Sequence, residues 1–198
     1  NKEKKKRNIE IKEYITKKSK LLNDYMIKCS LNSCVIAVSG GIDSSVVLGI
    51  VNEAFKMEKS PIKRIEAISI PCNTDGATNQ NIAYEKALSV AKHFNIDLKK
   101  IEISMPVNNF INAIDAQLSL KSDKWSRGQA VSYFRTSSIY YTTSLLTTNG
   151  YKPIVIGTTN RDEGAYIGFF GKASDGCNDL QIISDLHKSE VYILANIC

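Results

Sequence analysis

The apolar positions of the chain fall into short runs that predict strands. Residues 34–38, 65–70 and 153–157 are apolar runs bounded by glycine or proline, which is typical of buried strands. Weaker segments at 100–104 and 180–183 are predicted as the third and fifth strands in chain order. Each of these segments is too short to be a helix of ordinary length.

Apolar residues at helical spacing fill the intervals between the strands. The predicted helices cover residues 8–30, 44–56, 78–94, 107–118 and 129–147, and another starts at His187. The first helix has an apolar stripe, predicted to be buried, formed by Ile11, Tyr14, Ile15, Leu21, Leu22, Tyr25 and Met26. The predicted inner faces of the next two consist of Val46, Val47, Ile50, Val51 and Ala54, and of Ile82, Ala83, Ala87, Val90 and Ala91.

Short strands that alternate with helices indicate an α/β fold. We predict a doubly wound, mostly parallel five-stranded sheet with helices on both faces. In such sheets ligands bind beyond the carboxyl ends of the strands. Polar segments at Ser39, Pro71 and Thr158 follow three of the predicted strands, so a binding site is expected where they meet.

The positive charge of the chain is concentrated at one end. The 198 residues have a formal net charge of +6, which taken alone would suggest a nucleic-acid partner. Residues 1–20 contain nine bases and three acids and so account for the whole excess. Because the lysines of this segment fall largely on faces other than its apolar stripe, we interpret residues 1–30 as a basic lead-in and surface helix, and do not expect nucleic acid to bind.

Composition excludes several other classes of protein. No apolar run approaches the roughly 20 residues of a membrane span, and no signal-like segment is present, so a cytoplasmic location without membrane contact is expected. The five cysteines are odd in number and contain no C-x-x-C pair, which argues against a disulfide framework or a zinc cluster. A hard cation held by carboxylates is still compatible with the composition.

The most informative motif lies directly after the first predicted strand. It consists of Ser39, Gly40, Gly41, Ile42, Asp43, Ser44 and Ser45. Its glycines let backbone N–H groups approach an anion, and the helix that follows adds its N-terminal partial charge. Asp43 would suit such a loop if it binds Mg²⁺ that the phosphates share. The motif lacks the residues of a Walker A loop and of a dinucleotide-binding G-x-G-x-x-G.

This Ser-Gly-Gly-x-Asp-Ser loop resembles the pyrophosphate loop of the N-type ATP pyrophosphatases. The class includes NAD, GMP, asparagine and argininosuccinate synthetases and tRNA-modifying thiolases, and the loop alone does not choose among them. Later segments resemble the NAD synthetase family. They are Gly157-Thr158 with Glu163, Gly168-Phe169-Phe170-Gly171-Lys172, Asp175-Gly176, Asp179-Leu180 and Leu186-His187-Lys188.

The resemblance covers residues from about 34 to 194 and implies the domain organisation. Residues 31–198 are expected to form an NAD synthetase-like ATP pyrophosphatase domain. Members of the family usually continue further, so we expect the domain to be truncated at its C-terminal end. An upstream glutaminase domain also remains open, and with it the choice between ammonia and glutamine as the nitrogen donor.

The resemblance also implies a role for each matching residue. ATP would be bound by Ser39, Gly40, Gly41, Ile42, Asp43, Ser44, Ser45, Thr158 and Lys188. The substrate would contact Arg135, Lys172 and Asp179, and Mg²⁺ would bind to Asp43 and Glu163. No residue is expected to act as a covalent nucleophile, and Cys72 and Cys177 are interpreted as ordinary thiols.

Two departures from the family pattern concern the substrate. The segment before the long helix matches the family at Arg135, but Tyr133 stands where a second arginine is common. A neutral phenol cannot replace a bidentate guanidinium. Either Arg135 makes the contacts of both arginines, or the substrate is contacted differently. The interval from Glu163 to Lys172 is also one residue longer than usual.

The reaction implied by the resemblance is the ATP-dependent amidation of deamido-NAD to NAD. An acyl-adenylate would form with release of pyrophosphate, and ammonia would then displace AMP. A homodimer is expected. The alternatives are a tRNA-modifying thiolase, a different adenylate-forming amidotransferase and a nucleotide-binding module without catalytic activity.

Overall fold

Five strands form one parallel sheet at the centre of the fold. They are β1 (Ser33–Ala37), β2 (Arg64–Ser69), β3 (Leu98–Lys100), β4 (Pro153–Gly157) and β5 (Leu180–Gln181). Their order in the sheet is β3-β2-β1-β4-β5, with every neighbouring pair parallel. The computed structural model describes residues 13–73, 80–168 and 171–197. The predicted doubly wound α/β fold is confirmed.

Helices cover both faces of this sheet. They are α1 (Tyr14–Lys28), α2 (Ile42–Lys56), α3 (Gln80–His93), α4 (Ser104–Leu118), α5 (Lys124–Thr148) and α6 (Lys188–Ala195). Alternate residues of β1 point to opposite faces. Cys34 and Ile36 pack into a core with α1, α2, α3 and α6, whereas Val35 packs into a second core with α4 and α5.

The central position of β1 determines where loops meet. β1 pairs with β2 on one side and with β4 on the other, and Cys34 is in register with both Ile65 and Ile154. Because all three strands run the same way, the segments after Ala37 and Gly157 leave the sheet at the same edge. This edge carries the predicted binding loops.

The buried stripe of α1 differs from the predicted one. Its buried residues are Ile15, Ser19, Leu22, Asn23 and Met26. Leu21 and Tyr25, which the apolar stripe included, are 60% and 43% exposed. Ile11 lies outside the described residues. Two polar residues thus lie on the buried face, although the predicted apolar stripe did not include them.

Hydrogen bonds to the backbone of α2 explain these buried polar residues. Ser19 Oγ donates to the Ile50 carbonyl at 2.9 Å, and Asn23 Nδ2 donates to the Ala54 carbonyl at 2.8 Å. Both acceptors belong to α2, so the bonds fix α1 in one position along its neighbour. A buried polar side chain is tolerated when it is bonded in this way.

Several predicted boundaries were wrong by a few residues. β3 spans Leu98–Lys100 and α4 begins at Ser104, where we predicted a strand over 100–104 and a helix from 107. Pro106 lies in the first turn of α4, a position where proline is tolerated in a helix. Residues beyond β3 still bond to the sheet edge, since Ile101 N donates to the Ser69 carbonyl at 2.8 Å.

The start of α5 was also misplaced. The helix begins at Lys124, not at 129, because Asp123 and Ser126 form a capping box. Ser126 N donates to Asp123 Oδ1 at 2.8 Å, and Asp123 N donates to Ser126 Oγ at 2.9 Å. In α3 the predicted inner residue Ile82 is 54% exposed, while Ala87 and Ala91 are buried as predicted.

Across the part of the chain that the structure describes, no helix combines the length and apolar content needed to cross a membrane.

Asn23→Ala should destabilise the fold by about 1–2 kcal/mol, because it removes the buried hydrogen bond from Asn23 to the Ala54 carbonyl of α2. Urea denaturation measures the loss in free energy of unfolding. Asp24→Ala, on the exposed face of the same helix, is the matched control and should change stability by no more than about 0.5 kcal/mol. Equal effects of the two substitutions would contradict the assigned contact.

Candidate active site

The predicted phosphate loop joins β1 to α2 and needs glycine at its second position. Gly40 has φ +79°, a conformation that residues with a side chain rarely adopt. A Cβ atom there would also collide with the Ala83 carbonyl of α3. Gly40 is therefore required both by the turn and by the close approach of α3.

Serine side chains hold this loop in shape. Ser44 Oγ donates to the Gly41 carbonyl at 2.9 Å and accepts from Ser39 N at 3.3 Å. Ser39 Oγ accepts from Gly41 N at 3.2 Å. α2 begins directly after Gly41, so its N-terminal N–H groups and partial positive charge are presented at the loop. A loop of this kind at a helix N-terminus has the donors and the partial charge that an anion requires.

Two carboxylates and one ammonium group meet next to the loop. Lys188 Nζ, from the first turn of α6, forms ion pairs with Asp43 Oδ2 and, at 3.4 Å, with Glu163 Oε1. The side chain of Asp43 is 15% exposed, and those of Lys188 and Glu163 are 36% and 40% exposed. The structure thus brings together three of the residues that the sequence assigned to one site.

Asn160 connects the two carboxylates and was missed by the sequence analysis. It is completely buried. Its Nδ2 donates to Asp43 Oδ1 at 2.9 Å, and its Oδ1 accepts from Glu163 N at 3.0 Å. Asn160 therefore orients the Asp43 carboxylate and the backbone at Glu163. Its position three residues after β4 is the only cue that the sequence provides.

Asp162 was also missed, and it fixes the start of α6. Its Oδ2 accepts from Lys188 N at 2.7 Å, and its Oδ1 lies 2.6 Å from His187 Nδ1. The carboxylate thus caps α6 from a separate segment of the chain. Because Asp162 precedes Glu163, the same contact brings Lys188 towards the Glu163 carboxylate.

These contacts shift two pKa values in opposite directions. Burial disfavours the charged form of Lys188, but the hydrogen bond to Asp43 and the charges of Asp43 and Glu163 together outweigh it and raise the pKa of Lys188. The hydrogen bond from Lys188 N, followed by the contact with His187, holds the pKa of Asp162 below its ordinary value. Both groups are therefore charged near neutral pH.

A cavity of about 450 Å³ adjoins the loop at the carboxyl ends of β1, β2 and β4. Its lining includes Ser39, Pro71, Arg135, Thr158 and Asp175. This volume is in the range of sites that bind small molecules and cofactors. Thr158, predicted to contact ATP, is therefore placed beside the phosphate loop.

Arg135 enters the cavity from α5. Its Nε donates to the Ile70 carbonyl at 3.1 Å, and its Nη2 donates to Gln80 Oε1 at 3.0 Å. Burial lowers the pKa of Arg135, and the Asp175 carboxylate opposes this effect. The pKa of Asp175 is raised by burial first and then by Glu163.

Tyr133, predicted to stand where the family has a second arginine, does not line the cavity. It is 45% exposed, and its hydroxyl donates to Gln129 Oε1 on the same helix at 3.5 Å. Arg135 is therefore the cation that α5 supplies to the cavity among the described residues.

The other two predicted substrate residues lie outside the cavity lining. Lys172 is exposed in the turn before Asp175. Asp179 Oδ2 accepts a hydrogen bond from Val155 N at 2.8 Å, so this oxygen is bonded to the backbone of β4. Their substrate roles stay predictions.

The cysteines lie in different surroundings. Cys72 is 1% exposed, and burial raises the pKa of its thiol, which favours the unreactive form. Cys177 is partly buried, and its thiol contacts the Lys172 carbonyl. Among the described residues, no group of three or more His, Cys, Asp and Glu side chains lies close enough together to hold a metal ion by these ligands alone.

A sequence profile described as NAD synthase matches residues 14–198. The chain belongs to the NAD synthase family. It is 32% identical over 163 residues to the NH(3)-dependent NAD(+) synthetase of Thermoplasma volcanium, covering 82% of this chain and 59% of that relative. The chain therefore spans less than two thirds of the length of this relative.

Solved structures of the family have the same fold. The NH3-dependent NAD synthetase from Campylobacter jejuni aligns with a TM-score of 0.75 and 25% identity, covering 94% of this chain and 72% of that one. The NMN synthetase from Francisella tularensis aligns with a TM-score of 0.75 and 26% identity, covering 94% and 69%. The resemblance predicted from the sequence is confirmed at the level of family and fold.

Glu163 lies in an unusual helix. Asp162–Ile167 forms a π-helix, which accommodates more residues per turn than an α-helix. Such turns are often found at functional sites, and this one contains Glu163. The longer spacing from Glu163 to Lys172 relative to the family stays a prediction.

Asp162→Asn is expected to lower the free energy of unfolding at pH 7, because the neutral amide binds Lys188 N and His187 less strongly. The folded-state pKa of Asp162 is depressed. Its contribution is therefore present above the unfolded pKa of about 3.9 and is lost as the pH falls through the folded value.

Urea denaturation of both proteins from pH 7 to pH 3 measures this difference, which should narrow below a pH of about 4. Asp24→Asn, on the exposed face of α1, controls for the loss of a carboxylate and should show no comparable difference. A difference that is constant across the pH range would contradict the charged cap.

Proposed function

We propose that the domain amidates deamido-NAD to NAD with ATP, through an acyl-adenylate, and releases AMP and pyrophosphate. The observation that carries the proposal is the meeting of Asp43, Glu163 and Lys188 beside a glycine-serine loop and a cavity of about 450 Å³. Membership of the NAD synthase family supports it. The charges suit a reaction between two anions.

Charge control is the main physical demand of the first step. The carboxylate of the substrate must approach the α-phosphate of ATP, and pyrophosphate must leave with additional negative charge. The loop at 39–45 supplies backbone donors and a helix N-terminus, and Lys188 supplies a cation. Such preorganised groups stabilise charge that develops in the transition state.

Mg²⁺ suits the residues at this site. Asp43 and Glu163 share one cation, Lys188 Nζ, and so already surround a positively charged position. Mg²⁺ is usually held in proteins by one or two carboxylates together with water and substrate phosphates. When bound here, it would neutralise phosphate charge and make pyrophosphate a better leaving group. Asn160 would hold Asp43 in position for it.

The cavity is proposed to hold the nucleoside of ATP, with Thr158 near the phosphates. Arg135 is the proposed contact for the acidic end of the second substrate, deamido-NAD. Lys172 and Asp179 are retained as its predicted contacts. Tyr133 does not line the cavity and cannot act as the second substrate-binding arginine. The amidation assay should therefore test both deamido-NAD and the shorter deamidated mononucleotide as substrates.

Ammonia is the proposed nitrogen donor. The names of the Thermoplasma and Campylobacter relatives specify NH3 dependence. No observation favours the thiolase alternative, since the buried Cys72 has a raised pKa and is a poor nucleophile. Parallel assays with ammonium and with glutamine distinguish the donors.

We also propose that the domain forms a homodimer through α4 and α5. Phe110, Ile114 and Leu118 recur at intervals of four residues on α4 and are 44%, 40% and 61% exposed. Trp125 and Tyr141 of α5 are 72% and 66% exposed. Exposed apolar groups on one helix pair are typical of a protein interface.

Asp43→Ala should reduce ATP-dependent amidation by at least about a hundredfold, because the site loses a charge that would balance Mg²⁺ and Lys188. The assay measures NAD and AMP formed with saturating ammonia and deamido-NAD. Glu53→Gln, an exposed carboxylate on the same helix, is the control and should retain activity. Near-normal turnover by Asp43→Ala would overturn the proposed function.

Ile114→Glu should shift the protein from dimer to monomer, because a carboxylate buried without a partner is strongly disfavoured. Sedimentation velocity measures the change. The control is Leu21→Glu, which also replaces an apolar side chain with a carboxylate, at a 60% exposed residue of α1. It should leave the dimer intact. A monomeric unsubstituted protein at all concentrations would contradict the proposed interface.

A further inference from the structure

Lys188 occupies a position that a divalent cation would need. Its ammonium group is paired with both Asp43 and Glu163, the carboxylates proposed to bind Mg²⁺. An ammonium group that lies between two carboxylates repels a metal ion that binds the same two carboxylates. The two cations cannot both hold the full set of contacts.

The surroundings of Lys188 are fixed, whereas its side chain has room to move. Asp162 bonds its backbone N–H at 2.7 Å, and Asn160 holds Asp43 from a completely buried position. The Lys188 side chain itself is 36% exposed and has a flexible four-carbon stem. The ammonium can therefore change partners while the carboxylates and the helix stay in place.

A new partner for the ammonium would be available next to the loop. Lys188 Nζ already reaches Asp43, the second residue of α2, whose N-terminus is proposed to receive the phosphates of ATP. An ammonium displaced from the carboxylates would encounter the nearby triphosphate. Both cations would then neutralise separate parts of the same anion.

We propose that Lys188 is an exchangeable cation that holds the carboxylate pair until a divalent metal arrives. On metal binding its ammonium leaves Asp43 and Glu163 and pairs with the triphosphate. This inference rests on the proposed function for the identity of the metal ligands. Lys188 thereby weakens metal binding to the nucleotide-free protein and links productive metal binding to the presence of ATP.

The first test measures binding of Mn²⁺, as a probe for Mg²⁺, to the nucleotide-free protein by electron paramagnetic resonance. Lys188→Met should bind Mn²⁺ at least about tenfold more tightly than the unsubstituted protein, because the competing charge is gone. Lys188→Arg keeps the charge and should bind no more tightly than the unsubstituted protein. Lys20→Met, an exposed lysine of α1, controls for the change in net charge.

The second test detects release of the ammonium itself. Reductive methylation followed by mass spectrometry gives the labelling rate of each lysine in the unsubstituted protein. Saturating Mn²⁺ should increase the rate at Lys188 severalfold relative to Lys20. Circular dichroism melting of each variant verifies that folding is unchanged.

The outcomes separate this inference from the proposed function. Equal Mn²⁺ affinity in Lys188→Met and the unsubstituted protein, or an unchanged labelling rate at Lys188, overturns the exchange even if amidation is observed. Tighter Mn²⁺ binding together with faster labelling supports the exchange and does not depend on which substrate is amidated. Absence of amidation in the unsubstituted protein would instead overturn the proposed function.

Discussion

The parallel pairing of β1 with β4 is the constraint on which the site depends. It brings the segments that follow Ala37 and Gly157 out of the sheet side by side. One supplies the loop and Asp43, and the other supplies Thr158, Asn160 and Glu163. These segments are more than a hundred residues apart in the chain, so their side chains meet only because the two strands are neighbours.

Buried hydrogen bonds then determine the geometry of the charges. Charged groups removed from water are costly unless they are paired and bonded. Asn160 bonds Asp43 and the Glu163 backbone, and Asp162 bonds the backbone of Lys188. Asn160 and the Asp162 cap of α6 therefore hold the charged groups in a defined arrangement.

Close backbone approach links this site to the rest of the domain. Gly40 allows α3 to lie against the loop, since any side chain there would meet the Ala83 carbonyl. At the end of β4, the end of the Gln181 side chain lies in the space that a Cβ atom on Gly157 would occupy. That glutamine bonds Thr159 N at 3.1 Å and so ties the second segment to β5. The packing of α3 and β5 thus contributes directly to the shape of the site.

Local chemistry made much of the domain predictable from the sequence. Apolar runs and helical spacing gave the order of elements, and the glycine-serine loop and the segment near Glu163 indicated a nucleotide site and the family. Periodicity was insufficient where a polar residue is buried, as for Asn23 in α1. It was also insufficient where a cap lies outside the apolar pattern, as for Asp123 of α5.

The sequence by itself determined the fold class, the glycine-serine loop after β1 and the residues able to carry charge. Only the tertiary structure decided which of those residues meet, because that depends on strand order and on helix docking between distant segments. It joined Lys188 to Asp43 and Glu163, left Tyr133 on an outer face and gave Asn160 and Asp162 their positioning contacts. Hydrogen bonds between residues far apart in the chain leave no periodic pattern, and for that reason the structure was needed to find them.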